Sequence, residues 1–132
     1  MKTRIGVLVV DDSPKIREAL TGLLRSYPQM HLLGTAADGD EGIEQARTLK
    51  PDVVLMDIRM PRRSGLDATR VVKALPHPPK VIVVTADDSE AHRKAAAAAG
   101  ADAFCSKLRL AAELHPTILA LFPDAGAAPR QA

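Results

Sequence analysis

Short runs of consecutive apolar residues recur along the chain, at residues 5–10, 32–36, 53–57, 81–85 and 103–106. The runs are rich in valine, leucine, isoleucine and alanine, and they are apolar at successive positions rather than at alternate ones. Strands buried on both faces of a parallel sheet have this pattern, whereas a strand with one solvated face alternates. The pattern therefore predicts five buried strands.

Apolar residues between these runs recur at the three- and four-residue spacing of a helix that packs one face. Ser13 followed by Pro14 predicts an N-cap and the first helical position, and Ser89 predicts another N-cap before a helix that ends near Gly100. Prolines are predicted to stop the other four helices: Pro28, Pro51, Pro76 and Pro123. Strand and helix thus alternate five times, which predicts an α/β fold of the (βα)5 type, a doubly wound parallel sheet with helices on both faces.

The length of 132 residues fits one domain, predicted over residues 1–122 and followed by a disordered tail at residues 123–132. The formal charge of +2 is too balanced to indicate a surface for nucleic acid or membrane.

Cys105 is the only cysteine, which excludes an internal disulfide, and its apolar neighbours predict a small core residue. With no long apolar segment and no signal peptide, we expect a cytoplasmic protein that binds neither membrane nor nucleic acid directly.

Polar side chains follow four of the predicted strands, at the edge where ligands bind in open α/β sheets. Asp11 and Asp12 follow the first strand, Asp57 ends the third, Thr85 ends the fourth, and Lys107 follows the fifth. The second strand ends in alanines and is expected to contribute little chemistry. Three carboxylates gathered at one edge repel one another, so they need a cation, and an all-oxygen site suits Mg2+. The hydroxyl and the ammonium are donors suited to the oxygens of a phosphoryl group.

Four motifs lie at these strand ends: Val-Val-Asp11-Asp12-Ser-Pro, Leu-Met-Asp57-Ile-Arg-Met-Pro, Val-Val-Thr85-Ala, and Gly-Ala-Asp-Ala-Phe-Cys-Ser-Lys107. In this order, the chain from about residue 5 to residue 122 resembles the receiver domain of bacterial two-component response regulators. The resemblance implies a flavodoxin-like receiver fold whose five strands lie in the order 2-1-3-4-5. It also implies a phosphoacceptor switch, not an enzyme with a separate substrate, that signals through the face of the fourth helix, fifth strand and fifth helix.

The resemblance implies roles for the acidic residues. Asp57 would take the phosphoryl group from a phosphohistidine on a sensor histidine kinase or a phosphotransfer protein. Mg2+ would be bound directly by Asp12, by Asp57 and by the backbone carbonyl of Arg59, with Asp11 acting through water.

Further roles follow from the same resemblance. Thr85 and Lys107 would bind the phosphoryl oxygens, and Phe104 matches the switch aromatic that turns inward when Thr85 moves. Ala86 would leave space for the phosphoryl group to enter, and Gly65 would allow a tight turn after the third strand.

Charged residues near the acceptor leave two interpretations open. In the family, the positions of Arg59 and Asp87 tune how fast water removes the phosphoryl group. Here their charges are opposite, so they either pair across the mouth of the site and slow hydrolysis or remain two solvated side chains. Arg62 and Arg63 extend a basic cluster with Arg59, which either attracts a phosphorylated partner or is a solvated loop.

The chain departs from its relatives in two places. Many relatives have a cis proline after the lysine, but Leu108 stands here, and a cis bond without proline costs about 2.5–4 kcal/mol. We therefore predict a trans Lys107–Leu108 peptide. The fourth helix is almost all alanine at residues 95–99, so we hypothesise that it is poorly anchored and moves on phosphorylation.

Two functions remain open on the sequence. One is a stand-alone receiver that contacts a downstream protein or shuttles phosphoryl groups, with scope for a phosphorylation-dependent dimer. The other is a receiver cut from a DNA-binding helix-turn-helix transcription factor, because residues 28–39 resemble receivers of the NarL/FixJ type. An aspartate phosphohydrolase is disfavoured since its Asp-x-Asp pattern is missing after the first strand, and a flavin or dinucleotide binder is disfavoured since no glycine-rich loop follows that strand.

Overall fold

The predicted strands form one five-stranded parallel sheet in the order β2-β1-β3-β4-β5, which confirms the predicted fold class and strand order. The structure is a computed structural model that describes residues 4–123, and the predicted tail lies outside the described residues except for Pro123. The strands are β1 (Ile5–Val10), β2 (Met30–Ala36), β3 (Val53–Met56), β4 (Lys80–Thr85) and β5 (Ala103–Ser106). β2 begins two residues earlier than predicted because Met30 and His31 pair with the start of β1.

Five α-helices connect and flank the strands. They are α1 (Pro14–Arg25), α2 (Gly39–Leu49), α3 (Gly65–Lys73), α4 (Glu90–Ala98) and α5 (Leu110–Leu121). The first four begin at a side chain that accepts a hydrogen bond from the backbone N–H three residues further on. Ser13 and Ser89 confirm the predicted caps, and Asp38 and Ser64 are further ones. Such caps satisfy N–H groups that have no partner within the helix.

One turn of 3-10 helix, Lys107–Arg109, leads from β5 into α5. The Lys107–Leu108 peptide is trans, as predicted, and no cis peptide occurs between residues 4 and 123. The Leu108 side chain is 80% exposed, so this residue contributes little to the core.

Side chains of the central strands alternate between two cores, one on each face of the sheet. Along β1, Ile5 and Val7 join one core, whereas Leu8 and Val10 join the other. Helices α1 and α5 close the first core, and α2, α3 and α4 close the second. Burial on both faces explains why these strands are continuous apolar runs. Cys105 is buried in the first core, as predicted.

The helices that cover the second core are anchored unequally. Within α4 only Ala96 is buried, whereas α2 and α3 each bury four residues. An alanine side chain removes little apolar surface from water, so α4 gains less from packing than its neighbours do. None of the helices within the described part of the chain has both the length and the apolar character needed to cross a membrane.

Candidate functional site

Three carboxylates meet at the carboxyl edge of the sheet, where β1 and β3 end. The Asp11 N–H donates to the Ala36 carbonyl at 3.0 Å and the Asp57 N–H donates to the Val10 carbonyl at 2.9 Å, so the ladder extends one residue past each strand. Asp11 and Asp57 are buried, whereas Asp12 is exposed. One carboxylate oxygen from each of the three residues lies within 4.8 Å of the other two. The backbone of the sheet therefore brings together the acidic residues that the sequence predicted as a cluster.

The Lys107 ammonium lies between two of these carboxylates. Its Nζ is 2.7 Å from Asp11 Oδ2 and 3.2 Å from Asp57 Oδ1. Burial raises the pKa of Asp57, the Asp11 charge raises it further, and Lys107 opposes both effects. Burial acts to lower the pKa of Lys107, but the carboxylates of Asp11 and Asp57 outweigh it and the pKa is raised. The Lys107 charge thus offsets part of the repulsion among the carboxylates at this edge.

The donor set at this edge fits Mg2+. Asp11 Oδ1 accepts a hydrogen bond from the Ser13 N–H at 2.9 Å. Within the part of the chain that the structure describes, the buried Asp11 Oδ2 has no hydrogen bond of good geometry, and its one ion pair is with Lys107. The ligand atoms are all oxygens, and exposed Asp12 leaves one side open to water, which Mg2+ retains in protein sites.

Thr85 and Phe104 lie on β4 and β5, beside the carboxylates. Thr85 is buried and pairs in register with Ser106, and its hydroxyl oxygen accepts a hydrogen bond from the Asp87 N–H at 3.4 Å. Phe104 is half-buried, and the Arg93 guanidinium of α4 lies 4.6 Å from the centre of its ring. Thr85 thus contacts the segment that leads into α4, and Phe104 contacts α4 itself.

Gly65 is required by close backbone packing where the loop that leaves β3 returns, and not by a left-handed backbone conformation. Among the described residues the only glycine with a positive φ is Gly100. A Cβ atom on Gly65 would overlap the backbone carbonyl of Asp57. The Gly65 N–H also donates to the Ile58 carbonyl at 2.7 Å, so the loop that leaves β3 returns directly onto the acceptor residue.

Asp38, which the sequence analysis did not assign to the site, ties the β2–α2 loop to the β3–α3 loop. It is 8% exposed; its Oδ1 caps α2 by accepting from the Glu41 N–H at 2.8 Å, and its Oδ2 lies 2.7 Å from Arg62 Nη2. The Glu41 N–H hydrogen bond and the Arg62 guanidinium hold the pKa of Asp38 below its usual value. Asp38 with Glu41 three residues later is a helix-start signature, which could have revealed the cap but not the arginine partner.

The arginines of the predicted basic cluster have acidic partners. Arg62 pairs with Asp38 at 2.7 Å, Arg63 Nε lies 2.7 Å from Asp40 Oδ1, and Arg59 Nη2 lies 3.8 Å from Asp87 Oδ2. The positive charge of the cluster is therefore offset locally, which weakens the interpretation that it attracts a phosphorylated partner.

The pair between Arg59 and Asp87 crosses the mouth of the site, but it is long and exposed. The two side chains are 77% and 44% exposed. Asp87 Oδ2 also lies 3.1 Å from His92 Nδ1 in the first turn of α4. The pairing that we considered is present, and its effect on hydrolysis stays a prediction.

Comparisons with known proteins identify what the chain is similar to. The family model "Response regulator receiver domain" matches residues 7–119. A protein-glutamate methylesterase/protein-glutamine glutaminase of Geobacter metallireducens is 51% identical over 81 residues, which cover 61% of this chain and 23% of that protein. The uncharacterized transcriptional regulatory protein YxjL of Bacillus subtilis is 37% identical over 90% of this chain and 55% of that protein. The chain thus spans between about a quarter and about half of these curated relatives.

Solved structures share the fold. The response regulator domain of Thermotoga maritima CheB is 36% identical with a TM-score of 0.78, over 92% of this chain and 96% of that one. The receiver domain of the sensor histidine kinase PA1611 from Pseudomonas aeruginosa, described with a magnesium ion coordinated in the active site cleft, is 27% identical with a TM-score of 0.80. That likeness covers 89% of this chain and 96% of the PA1611 chain.

Proposed function

Because this chain belongs to the response regulator receiver domain family of two-component signal transduction, we propose that it accepts a phosphoryl group on Asp57. The donor is a phosphohistidine on a sensor histidine kinase or a phosphotransfer protein. The single observation that carries the proposal is the buried contact of Lys107 with both Asp11 and Asp57 beside the open Asp12 side of the cluster. That arrangement provides an acceptor oxygen, a cation and a place for a metal at one point.

This chain's own groups hold the Asp57 carboxylate in place and neutralise part of the negative charge of the incoming phosphoryl group. A carboxylate oxygen of Asp57 attacks phosphorus; the new O–P bond forms as the P–N bond breaks, and the leaving imidazole nitrogen keeps the electron pair of that bond. The backbone hydrogen bond from Asp57 to Val10 keeps the carboxylate at the strand end. Phosphoryl transfer depends mainly on such positioning and on charge neutralisation.

Asp11, Asp12, Asp57 and the backbone carbonyl of Arg59 would hold Mg2+, with Asp11 acting through water. When bound, the metal offsets the repulsion between the Asp57 carboxylate and the anionic donor. The all-oxygen cluster supports this assignment, and so does the magnesium reported for the PA1611 receiver domain.

Thr85 and Lys107 bind the phosphoryl oxygens in this proposal. The Thr85 oxygen accepts from the Asp87 N–H, which leaves its own hydroxyl hydrogen for donation to a phosphoryl oxygen. Ala86, small and exposed beside Thr85, leaves room for the phosphoryl group. When Thr85 moves toward that group, Phe104 turns inward and leaves the Arg93 contact, which changes the α4-β5-α5 face.

The output of this switch is proposed as contact with a downstream protein or as phosphoryl shuttling. The chain matches only 23% of the methylesterase relative, so we carry over no esterase activity and propose that the chain catalyses only its own phosphorylation and dephosphorylation. A receiver joined to a DNA-binding helix-turn-helix region is the alternative. The mass of the natural gene product would distinguish the two.

Intact-mass spectrometry after incubation with acetyl phosphate and Mg2+ tests the proposal. The wild type should gain one phosphoryl group and Asp57→Ala should gain none. Asp67→Ala removes an exposed carboxylate on α3 and serves as the matched control, which should label like the wild type. Equal labelling of Asp57→Ala and wild type would refute Asp57 as the acceptor.

A further inference from the structure

The β3–α3 loop contains a strained turn at Arg62. The φ of Arg62 is +68°, in the left-handed region that residues with a Cβ seldom adopt. The Arg63 N–H donates to the Pro61 carbonyl at 2.8 Å, which closes a three-residue turn around Arg62. A γ-turn with positive φ at its centre is rare and strained. Such conformations persist only where the surrounding structure holds them.

The amino end of α2 is what holds this turn. Asp38 binds the Arg62 guanidinium and Asp40 binds that of Arg63, both at 2.7 Å. The backbone of the helix also packs directly on the turn, because a Cβ on Gly39 would lie 2.5 Å from the Arg63 carbonyl oxygen. Three successive residues at the start of α2 therefore contact the two arginines that follow Pro61.

The segment between Asp57 and this turn is attached by its apolar residues, since Ile58 is buried in the second core and Met60 packs against that core. The Asp57 N–H is fixed to β1 and the Gly65 N–H to the Ile58 carbonyl, which anchors the two ends of the loop. Arg59 is exposed, and within residues 4–123 its side chain has one ion pair, the long contact with Asp87. Arg59 thus lies between two packed residues, and we infer that the turn at Arg62, three residues further on, contributes to the position of its backbone carbonyl.

We propose that Asp38 is a positioning residue for Mg2+: by holding Arg62 in its strained turn, it places the backbone carbonyl of Arg59 toward the carboxylate cluster. The inference rests on the proposed function, in which that carbonyl is a metal ligand. Asp38 itself touches neither the metal nor the phosphoryl group in this assignment; it acts through Arg62. Partners that orient the ligands of a metal commonly change its affinity when they are lost.

The two tasks of Asp38 can be separated by substitution. Asparagine caps helices about as well as aspartate does, so Asp38→Asn keeps the α2 cap and removes the charge that binds Arg62. Arg62→Gln removes the same interaction from the other side and leaves Asp38 unchanged. Arg62→Lys keeps the positive charge and serves as the conservative rescue. Arg70→Gln is the matched control. It breaks an exposed ion pair within α3, in which Arg70 Nη1 lies 2.9 Å from Asp67 Oδ1.

The experiment measures the Mg2+ dissociation constant of each variant by isothermal titration calorimetry, with melting temperature measured in metal-free buffer. We expect the constant to rise roughly tenfold in both Asp38→Asn and Arg62→Gln, the lower end of the range for groups that orient metal ligands. Arg62→Lys should retain most of the affinity, and Arg70→Gln should match the wild type. The double variant should lose no more than either single variant, since both remove one interaction. In metal-free protein, exchange of the Gly65 amide should quicken in the two single variants.

The outcomes separate this inference from the proposed function. Wild-type Mg2+ affinity in both single variants would overturn the inference and leave the proposed function standing. So would additive losses in the double variant, which would mean that the two residues act independently. A wild-type chain that binds no Mg2+ would overturn both. If Asp38→Asn does not fold, Arg62→Gln decides the question, because Asp38 and its cap are untouched in that variant.

Discussion

Two loops lie beside Asp57: the β3–α3 loop and the loop between β4 and α4. The ion pairs that hold them differ in length. On the fixed side, which is the β3–α3 loop, Arg62 and Arg63 are contacted by the α2 cap Asp38 and by Gly39 and Asp40 of α2. Both ion pairs measure 2.7 Å, and the Asp38 side chain is 11% exposed while that of Arg62 is 69% exposed. On the loose side, which is the loop between β4 and α4, Asp87 reaches Arg59 over 3.8 Å between two exposed side chains. Exposed pairs of that kind contribute only about 0–1 kcal/mol.

The helices next to the two loops also differ, in the number of residues that they bury. α2 and α3 are each anchored by four buried residues, whereas α4 buries only Ala96. Asp57 and the backbone carbonyl of Arg59, a proposed metal ligand, belong to the fixed side, where geometry must be retained. The segment that would move on phosphorylation lies on the loose side, where rearrangement breaks few contacts. Low local stability is a common property of segments that move.

The largest expected effect follows from disturbing the fixed side at Gly65. Gly65→Ala places a Cβ against the Asp57 carbonyl, so the loop must shift. We expect the rate of phosphorylation by acetyl phosphate to fall roughly hundredfold, as displacements of about 1 Å can produce. We also expect a loss of about 1–3 kcal/mol in the free energy of unfolding, measured by urea titration.

Gly22→Ala is the matched control for that substitution. Gly22 lies on the exposed face of α1, and no atom within 4 Å would meet its Cβ. This variant should gain up to about 1 kcal/mol of stability because alanine favours helix, and its phosphorylation rate should not change. Equal rates in the two variants would show that the loop after Asp57 is not rigid.

Hydrogen exchange compares the two sides directly. Bound beryllium fluoride, a phosphoryl mimic, should change the exchange rates of α4 amides by on the order of tenfold, because few buried contacts hold that helix. Amides of α2 should change little. Mass spectrometry of peptides from each helix, with and without the mimic, measures the difference. Equal protection of α4 in the two states would contradict the view that the loose side moves.

The smallest effect is expected from Arg59→Ala, which breaks the exposed pair between the two loops. This substitution keeps the Arg59 backbone carbonyl and removes the pair with Asp87. Autodephosphorylation should become faster by up to about fivefold, the factor that corresponds to about 1 kcal/mol. Arg70→Ala removes an exposed arginine pair on α3 and should leave the rate unchanged. An unchanged rate in Arg59→Ala would mean that the pair does not slow hydrolysis.

Much of the fold could be predicted because its signals are local. Continuous apolar runs indicated strands buried on both faces, and β1 and β5 have the predicted bounds. Ser13 and Ser89 cap helices as predicted, since a cap depends on residues a few positions apart. The rule that ligands gather at the carboxyl edge of parallel strands predicted the neighbourhood of Asp11, Asp57 and Lys107.

The features that the sequence did not reveal depend on contacts between residues far apart in the chain. Asp38 follows a strand that we expected to contribute little chemistry, yet it binds Arg62, 24 positions away. Gly65 suggested a turn, but its role comes from the backbone of Asp57, which only the folded loop brings close. The arginines of the β3–α3 loop suggested a basic cluster until their acidic partners on α2 and beyond β4 were located.

The sequence by itself determined the alternation of strand and helix and the edge at which the polar residues meet, and its resemblance to receiver domains indicated Asp57 as the acceptor candidate. Periodicity and strand ends are properties of short segments, so they can be recognised without coordinates. Tertiary structure alone decided that the β3–α3 loop is the fixed side and that the loop between β4 and α4 is the loose side. That difference comes from the distance and burial of ion pairs between α2, the β3–α3 loop and the start of α4, and no short segment contains both partners.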